Sequence, residues 1–460
     1  MTNLSKFFEN LQIILIFIFY QILQILLLPI IIIYLFIRYF KKKSVFGSFK
    51  ERMGLVTKST KNKKIIWLHA VSVGEILSIQ NLIKQIKTEI PNSFCYVTTG
   101  TITGKNMAQK NLQFADKISF MPFDFLLPMF FAYKRIKPNF IIIIEAEIWP
   151  NFIILSKFFK TPIYLLNARI SQRSENKYLN LKFLFKSILN IFKLIFVQSE
   201  QDQDNFIKLG IKKNKLKILG NIKALNVLEK KNVIKNIFSK NILKKNYNIL
   251  LAGSIHEGEL DIYLDLYKNL KKNFENLKLI LAPRHFNWQN ILEEKIKKTS
   301  FKYFLWDNKS NINTQINSQI DFFKKNQNYY DQTKNILINH DILLVCKLGE
   351  LFNLYQFCDI FFLGGTFIPV GGHNLLEPAV WGKVSIVGPY YQNCKDNADN
   401  LEFSNALIKT KNSEELLLET QNLLKNKEKK DFMSQNAKNW LIKEAGLVRK
   451  NLEFLIKQIY

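Results

Sequence analysis

From residue 65 onward the 460-residue chain alternates short apolar runs with amphipathic stretches, and this alternation limits its fold more than any other feature. In the first half the strand-like runs are Ile65–His69, Phe94–Thr98, Lys117–Phe120, Phe140–Ile144, Ile163–Leu166, Leu194–Gln198 and Lys217–Leu219. Helical patterns lie between most of them, which is the signature of a parallel sheet covered on both faces. A Lys- and Asn-rich stretch, Leu228–Asn246, then reads as a linker to a second series. That series is Ile249–Ala252, Leu277–Leu281, Tyr303–Trp306, Ile342–Val345, Ile360–Leu363 and Val384–Val387. The expected architecture is α/β, with two Rossmann-like halves, 44–227 and 247–460, and a cleft between them. The C-terminal stretch reads as helical and able to cross back over the first half. Asp307–Asn339 is rich in Asn, Gln and Lys without an apolar period, and reads as a loop insertion.

Ahead of the alternation, Asn10–Ile37 carries no charge, and Leu11–Ile37 is almost continuously Ile, Leu and Phe. At about 1.5 Å per helical residue this run exceeds a hydrocarbon core of roughly 30 Å, so residues 1–43 read as a membrane anchor with a basic flank. Pro29 could kink it, and a monotopic arrangement stays open. Arg38, Lys41, Lys42 and Lys43 follow the run, against Lys6 and Glu9 before it, so the positive-inside tendency puts the remaining chain in the cytoplasm. The net charge of +29 implies anionic partners, whether nucleic acid, anionic lipid or phosphorylated substrates, and composition does not choose among them. Cys95, Cys346, Cys358 and Cys394 have neither metal-ligand spacing nor the density of a disulfide scaffold, so a reducing compartment is the simpler inference; no cluster in the sequence resembles a metal site, and no metal is expected.

Several stretches could carry chemistry. In Trp67–Glu75 a buried-type strand stops at Gly74, and Ile76, Ile79, Leu82, Ile83 and Ile86 recur at helical spacing beyond it. Ser72–Glu75 is then a strand-to-helix turn at the carboxyl end of a strand, where open α/β sheets bind ligands. Glu75 is either a catalytic base there or a first-turn carboxylate favoured by the helix dipole. Gly100–Asn106 resembles a phosphate loop but has three residues between its glycines and Asn106 in place of a hydroxyl; it could still hold an anion at a helix start. Phe140–Asn151 runs a strand directly into Glu145 and Glu147, whose alternation suggests opposite faces, with Arg169 as a possible ion-pair partner. Asn167–Ser174 adds two arginines after the next strand, and Gly220–Lys223 closes the first half. In the second half, Ala252–Glu259 gives a small-residue turn with an acidic helix start, and Ala282–His285 ends a strand with two potential phosphate donors. Gly364–Pro378 has two Gly-Gly pairs, a polar pair and an acid, and suits a nucleotide whose phosphate meets backbone amides. Four of the five histidines, His69, His256, His285 and His373, sit at strand ends or beyond a Gly pair.

Taken together, Trp67–Glu75, Glu145–Asn151, Asn167–Ser174, Gly220–Lys223, Ala252–Glu259, Pro283–His285, Gly349–Leu351 and Gly371–Pro378 resemble the motifs of the Kdo (3-deoxy-D-manno-octulosonic acid) transferases of lipopolysaccharide assembly. The resemblance covers essentially the whole chain, including the N-terminal run. It implies a GT-B fold and transfer of Kdo from CMP-Kdo to a lipid A precursor at the cytoplasmic face of the bacterial inner membrane. The implied partners are that donor, that acceptor and the bilayer, with no nucleic acid, no cofactor and no metal. By motif position Glu75 corresponds to the proton acceptor, and Glu145 and Lys223 to transition-state stabilisers. CMP contacts are implied at Pro283, Arg284, Gly349, Glu350, Leu351, Asn374, Leu375, Leu376 and Glu377. The chain departs from the family at Ala224, Leu225 and Asn226 and at Phe286, Asn287 and Trp288. The competing readings are another membrane-associated GT-B enzyme using a UDP-sugar, and a membrane-tethered binding protein for anionic lipid or nucleic acid.

Overall fold

A computed structural model describes residues 3–40, 48–60, 62–145, 147–170, 172–238, 247–307 and 331–459. The chain forms two compact units, one made of residues up to Asn226 together with those from Ala445 onward, the other of Val227–Glu444.

Unit 1 holds a seven-stranded sheet in which every pairing is parallel: β1 (Lys64–His69), β2 (Ser93–Thr99), β3 (Lys117–Phe120), β4 (Phe140–Ile144), β5 (Ile163–Ala168), β6 (Leu194–Val197) and β7 (Leu216–Ile218). The spatial order β3-β2-β1-β4-β5-β6-β7 reverses direction between β1 and β4. The switch point is set there, where the carboxyl ends of two neighbouring strands diverge and leave a crevice. Ile141–Ile144 are all fully buried because helices cover both faces, so an uninterrupted apolar run suits this strand. Trp67 locks β1 to its cover: its ring lies 4.6 Å from Phe152 and 5.2 Å from Tyr133, and its indole N–H donates to Thr98 Oγ1 at 2.9 Å. The last helix, Lys427–Ile459, brings the chain back to this unit, where Asn451 donates to the Ile218 carbonyl and Lys64 to that of Ile459.

Unit 2 repeats the plan with β8 (Asn248–Ile255), β9 (Leu277–Pro283), β10 (Tyr303–Trp306), β11 (Ile342–Val345), β12 (Ile360–Leu363), β13 (Val384–Val387) and β14 (Leu407–Lys409). Its order, β10-β11-β9-β8-β12-β13-β14, has its switch point between β8 and β12. All thirteen strand-like runs are strands; β14, at the sheet edge, was not expected.

Three local expectations change. The periodic run Ile76–Ile86 is two helices, Val73–Ser78 and Gln80–Glu89, broken at Ile79, although all five apolar positions are buried as expected. Helix Ile222–Phe238 occupies the first part of the Lys- and Asn-rich stretch, whose remainder, 239–246, lies outside the described residues. Within the polar stretch 307–339, residues 331–339 are helical, because Thr333 and Leu337, one turn apart, are both buried; 308–330 lie outside the described residues.

The N-terminal helix Asn3–Phe40 continues across Pro29 and contains one segment, Asn10–Ile30, long and apolar enough to cross a membrane. Its polar side chains dock on the rest of unit 1. The Tyr20 hydroxyl donates to the buried Asp124 carboxylate at 3.1 Å, Gln24 to the Asp124 carbonyl at 2.7 Å and Gln21 to Asn151 at 2.6 Å. The same Asp124 carboxylate accepts from the amides of Asn151 and Phe152, so it also caps helix Pro150–Phe158. Lys41, Lys42 and Lys43 lie outside the described residues.

Candidate active site

The crevice beside β1 begins as helix-capping chemistry. Ser72, in extended conformation, accepts from the Glu75 amide at 3.3 Å, and Glu75 Oε1 accepts from the Ser72 amide at 3.2 Å, closing a capping box. Glu75 Oε2 accepts from the Val71 amide at 2.8 Å. The turn is braced from behind, where Thr99 and Thr101 hydroxyls donate to the Val71 carbonyl at 3.0 and 3.3 Å. A Cβ on Gly104 would stand 2.5 Å from Thr99 Oγ1, so the glycines of Gly100–Asn106 serve close packing against this turn, and Thr101 itself caps the following helix.

Capping accounts for the residue type at 75 but not for what stands beside it. Beyond β4, Glu145 adopts φ +61°. Leaving the extended region ends the strand's alternation, so Glu145 and Glu147 do not diverge to opposite faces as expected. Instead both are coupled to Glu75: the Glu145 charge acts on Glu75, and the charges of Glu75 and Glu145 act on Glu147. Burial raises the Glu75 pKa, with the Glu145 charge adding to it; burial likewise raises that of Glu147, followed by the charges of Glu75 and Glu145. The cation paired with Glu145 is Lys223, at 3.2 Å, rather than Arg169, which is exposed. A Cβ on Gly74 would stand 4.0 Å from Lys223 Nζ, so the ammonium lies directly over the Glu75 turn. Buried Asn167, at φ +59°, holds the group together: its amide nitrogen donates to Glu145 and its carbonyl oxygen accepts from the Ile222 amide at the start of the Lys223 helix. Asn226, where the chain departs from the family pattern, ties that helix to the Glu75 helix by donating to the carbonyls of Leu77 and Ser78. Glu147 and Asn167 both lie in motifs read from the sequence, but neither was given a role in the site. Ser171 and the side chains of Gln172–Ser174 are not described, so the second arginine of that motif carries no geometry. His69 is a buried core histidine, facing Thr98 and held neutral by a pKa pushed down to about 4 by burial.

In unit 2 the switch point is built on a second carboxylate. Glu259 is fully buried, and its oxygens accept from the amides of His256 (3.0 Å), Gly365 (2.7 Å), Thr366 (3.1 Å) and Phe367 (3.1 Å). It thereby clamps the loop after β12 to the loop after β8. Gly364 permits that approach, since a Cβ there would meet the Ser254 carbonyl oxygen at 2.3 Å. We expect Gly364→Ala to cost about 1–3 kcal/mol of stability through overpacking, read as a lowered unfolding midpoint in denaturant.

Around this clamp the expected donor residues converge on the carboxyl edge of the sheet. The Arg284 amide donates to the Ile255 carbonyl, placing it beside His256, His285 and His373. His256 and His373 meet in a 2.8 Å Nε2–Nε2 contact, their rings 5.1 Å apart and nearly parallel. Burial, then Arg284 and the neighbouring rings, depresses the His373 pKa to about 4. Trp288, another departure from the family pattern, packs against His285 at 5.2 Å. Asn374 accepts from the Leu376 amide, Leu375 and Leu376 are buried, and burial raises the Glu377 pKa while Lys230 opposes it. Lys230 also lies 3.9 Å over the Phe352 ring, linking this loop to Gly349–Leu351. There Gly349 has φ +91°, Glu350 pairs with Lys347 at 3.8 Å and Leu351 packs toward Gly253. Pro283 ends β9. Among the described residues no three His, Cys, Asp or Glu side chains form a metal-binding group.

Residues 47–226 match the family model described as 3-Deoxy-D-manno-octulosonic-acid transferase (kdotransferase). A 3-deoxy-D-manno-octulosonic acid transferase of Aquifex aeolicus is 31% identical over 371 residues, covering 80% of this chain and 88% of that protein. The chain belongs to the Kdo transferase family. As a Kdo transferase it is a glycosyltransferase of lipopolysaccharide biosynthesis. A bifunctional glycosyltransferase/methyltransferase of Fusobacterium nucleatum is 31% identical over 433 residues, covering 92% of this chain, which spans 63% of that protein's length. The solved glycosyltransferase of Rickettsia africae shares the fold, with a TM-score of 0.51 at 15% identity over 86% of this chain and 99% of that one. The two parallel α/β units of this Kdo transferase are accordingly those of a GT-B enzyme.

Proposed function

We propose that the chain transfers Kdo from CMP-Kdo to a hydroxyl of the lipid A precursor, lipid IVA, with Glu75 as general base and CMP as leaving group. The observation that carries this reading is the cluster of Glu75, Glu145, Glu147 and Lys223 at the switch point of unit 1, a concentration of charge that helix capping does not require. In the transfer, the acceptor O–H bond breaks and its proton passes to Glu75. The acceptor oxygen bonds to the anomeric carbon, and the anomeric C–O bond to phosphate breaks with its electron pair leaving on CMP. Lys223, oriented by Glu145, offsets charge near the reacting centre. In unit 2, Arg284 and loop amides suit the CMP phosphate, and Glu377 suits ribose hydroxyls. We place the catalytic units on the cytoplasmic side and the chemistry without a metal, so turnover should survive a chelator.

The test is an assay of the purified full chain with CMP-Kdo and lipid IVA, products weighed by mass spectrometry. A Kdo-bearing lipid is expected; no adduct, or one formed only from a UDP-sugar, would overturn the reading. The pH dependence is a second check. Below its pKa Glu75 carries a proton and cannot accept another, so the acid limb of kcat/KM should lie above the ordinary glutamate value of 4.5. Glu145→Gln removes a charge that raises the Glu75 pKa, and should move that limb to lower pH even as turnover falls. The raised pKa also has a sign for stability: the contribution of Glu75 is fullest below the ordinary glutamate range and is lost as pH rises through its folded value.

A further inference from the structure

The N-terminal helix has two unlike faces. Toward the rest of unit 1 it turns Gln12, Ile16, Tyr20, Gln21 and Gln24, a stripe at helical spacing. On its outward side it exposes Ile14, Leu15, Ile18, Phe19 and Ile22, each about half exposed or more. This reverses the usual order of a water-soluble protein, and such an apolar face needs a cover. The protein contacts run from Asn10, which accepts from Lys157, to Gln24, on the order of 21 Å of helix at 1.5 Å per residue. Along that length the helix has protein on one side and can meet lipid only on the other.

At the Asn10 end of this helix a cleft of about 460 Å³ opens beside Gln12 and Ile13, and its walls carry Lys157, Lys160, Lys186 and Lys193. No carboxylate is among the described residues that line it, while Ser187 and Asn190 add neutral hydrogen-bonding groups. Lys160, Lys186 and Lys193 alone bring three like charges around one small volume, which repel unless an anion joins them. Two exposed aromatic side chains follow in sequence: Phe158 comes after Lys157, and Phe183, whose carbonyl accepts from Gln12, lies one helical turn before Lys186. Aromatic rings beside lysines and an apolar helix are the composition of a membrane interface. The cleft adjoins the start of β5 at Thr161–Ile163 and Lys193 just before β6, whereas Glu145 and Asn167 sit at the opposite, carboxyl edge of the sheet. It is therefore separate from the transfer site.

We propose that this cleft binds the phosphodiester headgroup of an anionic bilayer phospholipid, whose acyl chains lie along the outward face of the N-terminal helix. The helix is then a half-embedded platform over Asn10–Gln24 and the lysine cleft its headgroup clamp. This goes beyond the reading of the transfer reaction and needs no turnover to be tested.

The experiment is flotation of the full chain with phosphatidylcholine vesicles, with and without phosphatidylglycerol. Wild-type protein should bind both and prefer the anionic vesicles. Each cleft lysine contributes about fivefold to that preference, so a Lys160→Gln, Lys186→Gln, Lys193→Gln triple variant should lose roughly 100-fold on anionic vesicles. Its binding to phosphatidylcholine should be unchanged, which also reports that it is folded. The charge-matched control, Lys268→Gln, Lys272→Gln, Lys425→Gln, alters exposed lysines of unit 2 and should keep the preference. The proposal is overturned if the cleft triple keeps it, or if the control loses as much, which would make the effect one of net charge. Inorganic phosphate should compete poorly with the lipid; displacement by phosphate alone would identify a free-anion site and equally overturn the headgroup assignment.

Discussion

Glu75→Gln should lower turnover by about 10²–10⁴-fold while leaving CMP binding unchanged. The substitution is informative because Glu75 has two jobs in the structure. As a cap it accepts from the Val71 amide at 2.8 Å and the Ser72 amide at 3.2 Å, one bond per oxygen. Gln offers one acceptor, so it keeps the shorter bond and turns its NH₂ toward the other amide. The loss in stability should be about 1 kcal/mol, visible as a modest fall in the unfolding midpoint. If capping were its only job, turnover would track the folded fraction and barely move at a temperature well below that midpoint. As a base, Glu75 cannot be replaced by a group that takes no proton, and turnover collapses in fully folded protein. CMP binding is the internal control, because the residues proposed to hold CMP belong to unit 2 and Glu75 to unit 1. A variant that keeps near-normal turnover would remove Glu75 from the mechanism.

How far the sequence carries this site depends on the kind of residue. The strands were legible because both faces of each sheet are covered, which makes a strand such as β4 a continuous apolar run that tolerates no other reading at that length. β14 was not, because its three residues, Leu407–Lys409, show no pattern at all. Glu75 was legible as a carboxylate on a strand-to-helix turn, but its two roles look the same in one dimension. Glu147 was misplaced by a rule that holds only in extended backbone: once Glu145 turns to φ +61°, alternate residues no longer face apart. Arg169 was a reasonable partner by proximity in sequence, yet Lys223 reaches Glu145 from 78 residues away because the sheet sets the end of β7 and its following helix beside Asn167. The docking face of the N-terminal helix left a signal that composition hid, since Gln12, Tyr20, Gln21 and Gln24 recur at helical spacing inside a run conspicuous for its Ile and Leu.

Glu259 marks the furthest reach beyond sequence, and its removal should have the largest effect on unit 2. It read as an ordinary acid at a helix start, whereas it holds amides 106 to 108 residues downstream. Glu259→Ala leaves the amides of His256, Gly365, Thr366 and Phe367 without their acceptor, those of Gly365 and Thr366 fully buried and the other two partly so. An orphaned buried donor costs about 1–3 kcal/mol, so even with partial relaxation the expected loss is about 4 kcal/mol or more. Glu259→Gln keeps one acceptor oxygen and should lose less. The local consequence is more diagnostic than the global one. Hydrogen exchange by mass spectrometry should show peptides across 363–372 losing protection, while those across β1 and β4 in unit 1 keep theirs. If the glycine loop is where the CMP phosphate meets backbone amides, CMP affinity must fall in step with that protection, because unclamped amides no longer point to one place. Loss of protection with undiminished CMP binding would separate the loop from the nucleotide and assign Glu259 to stability alone.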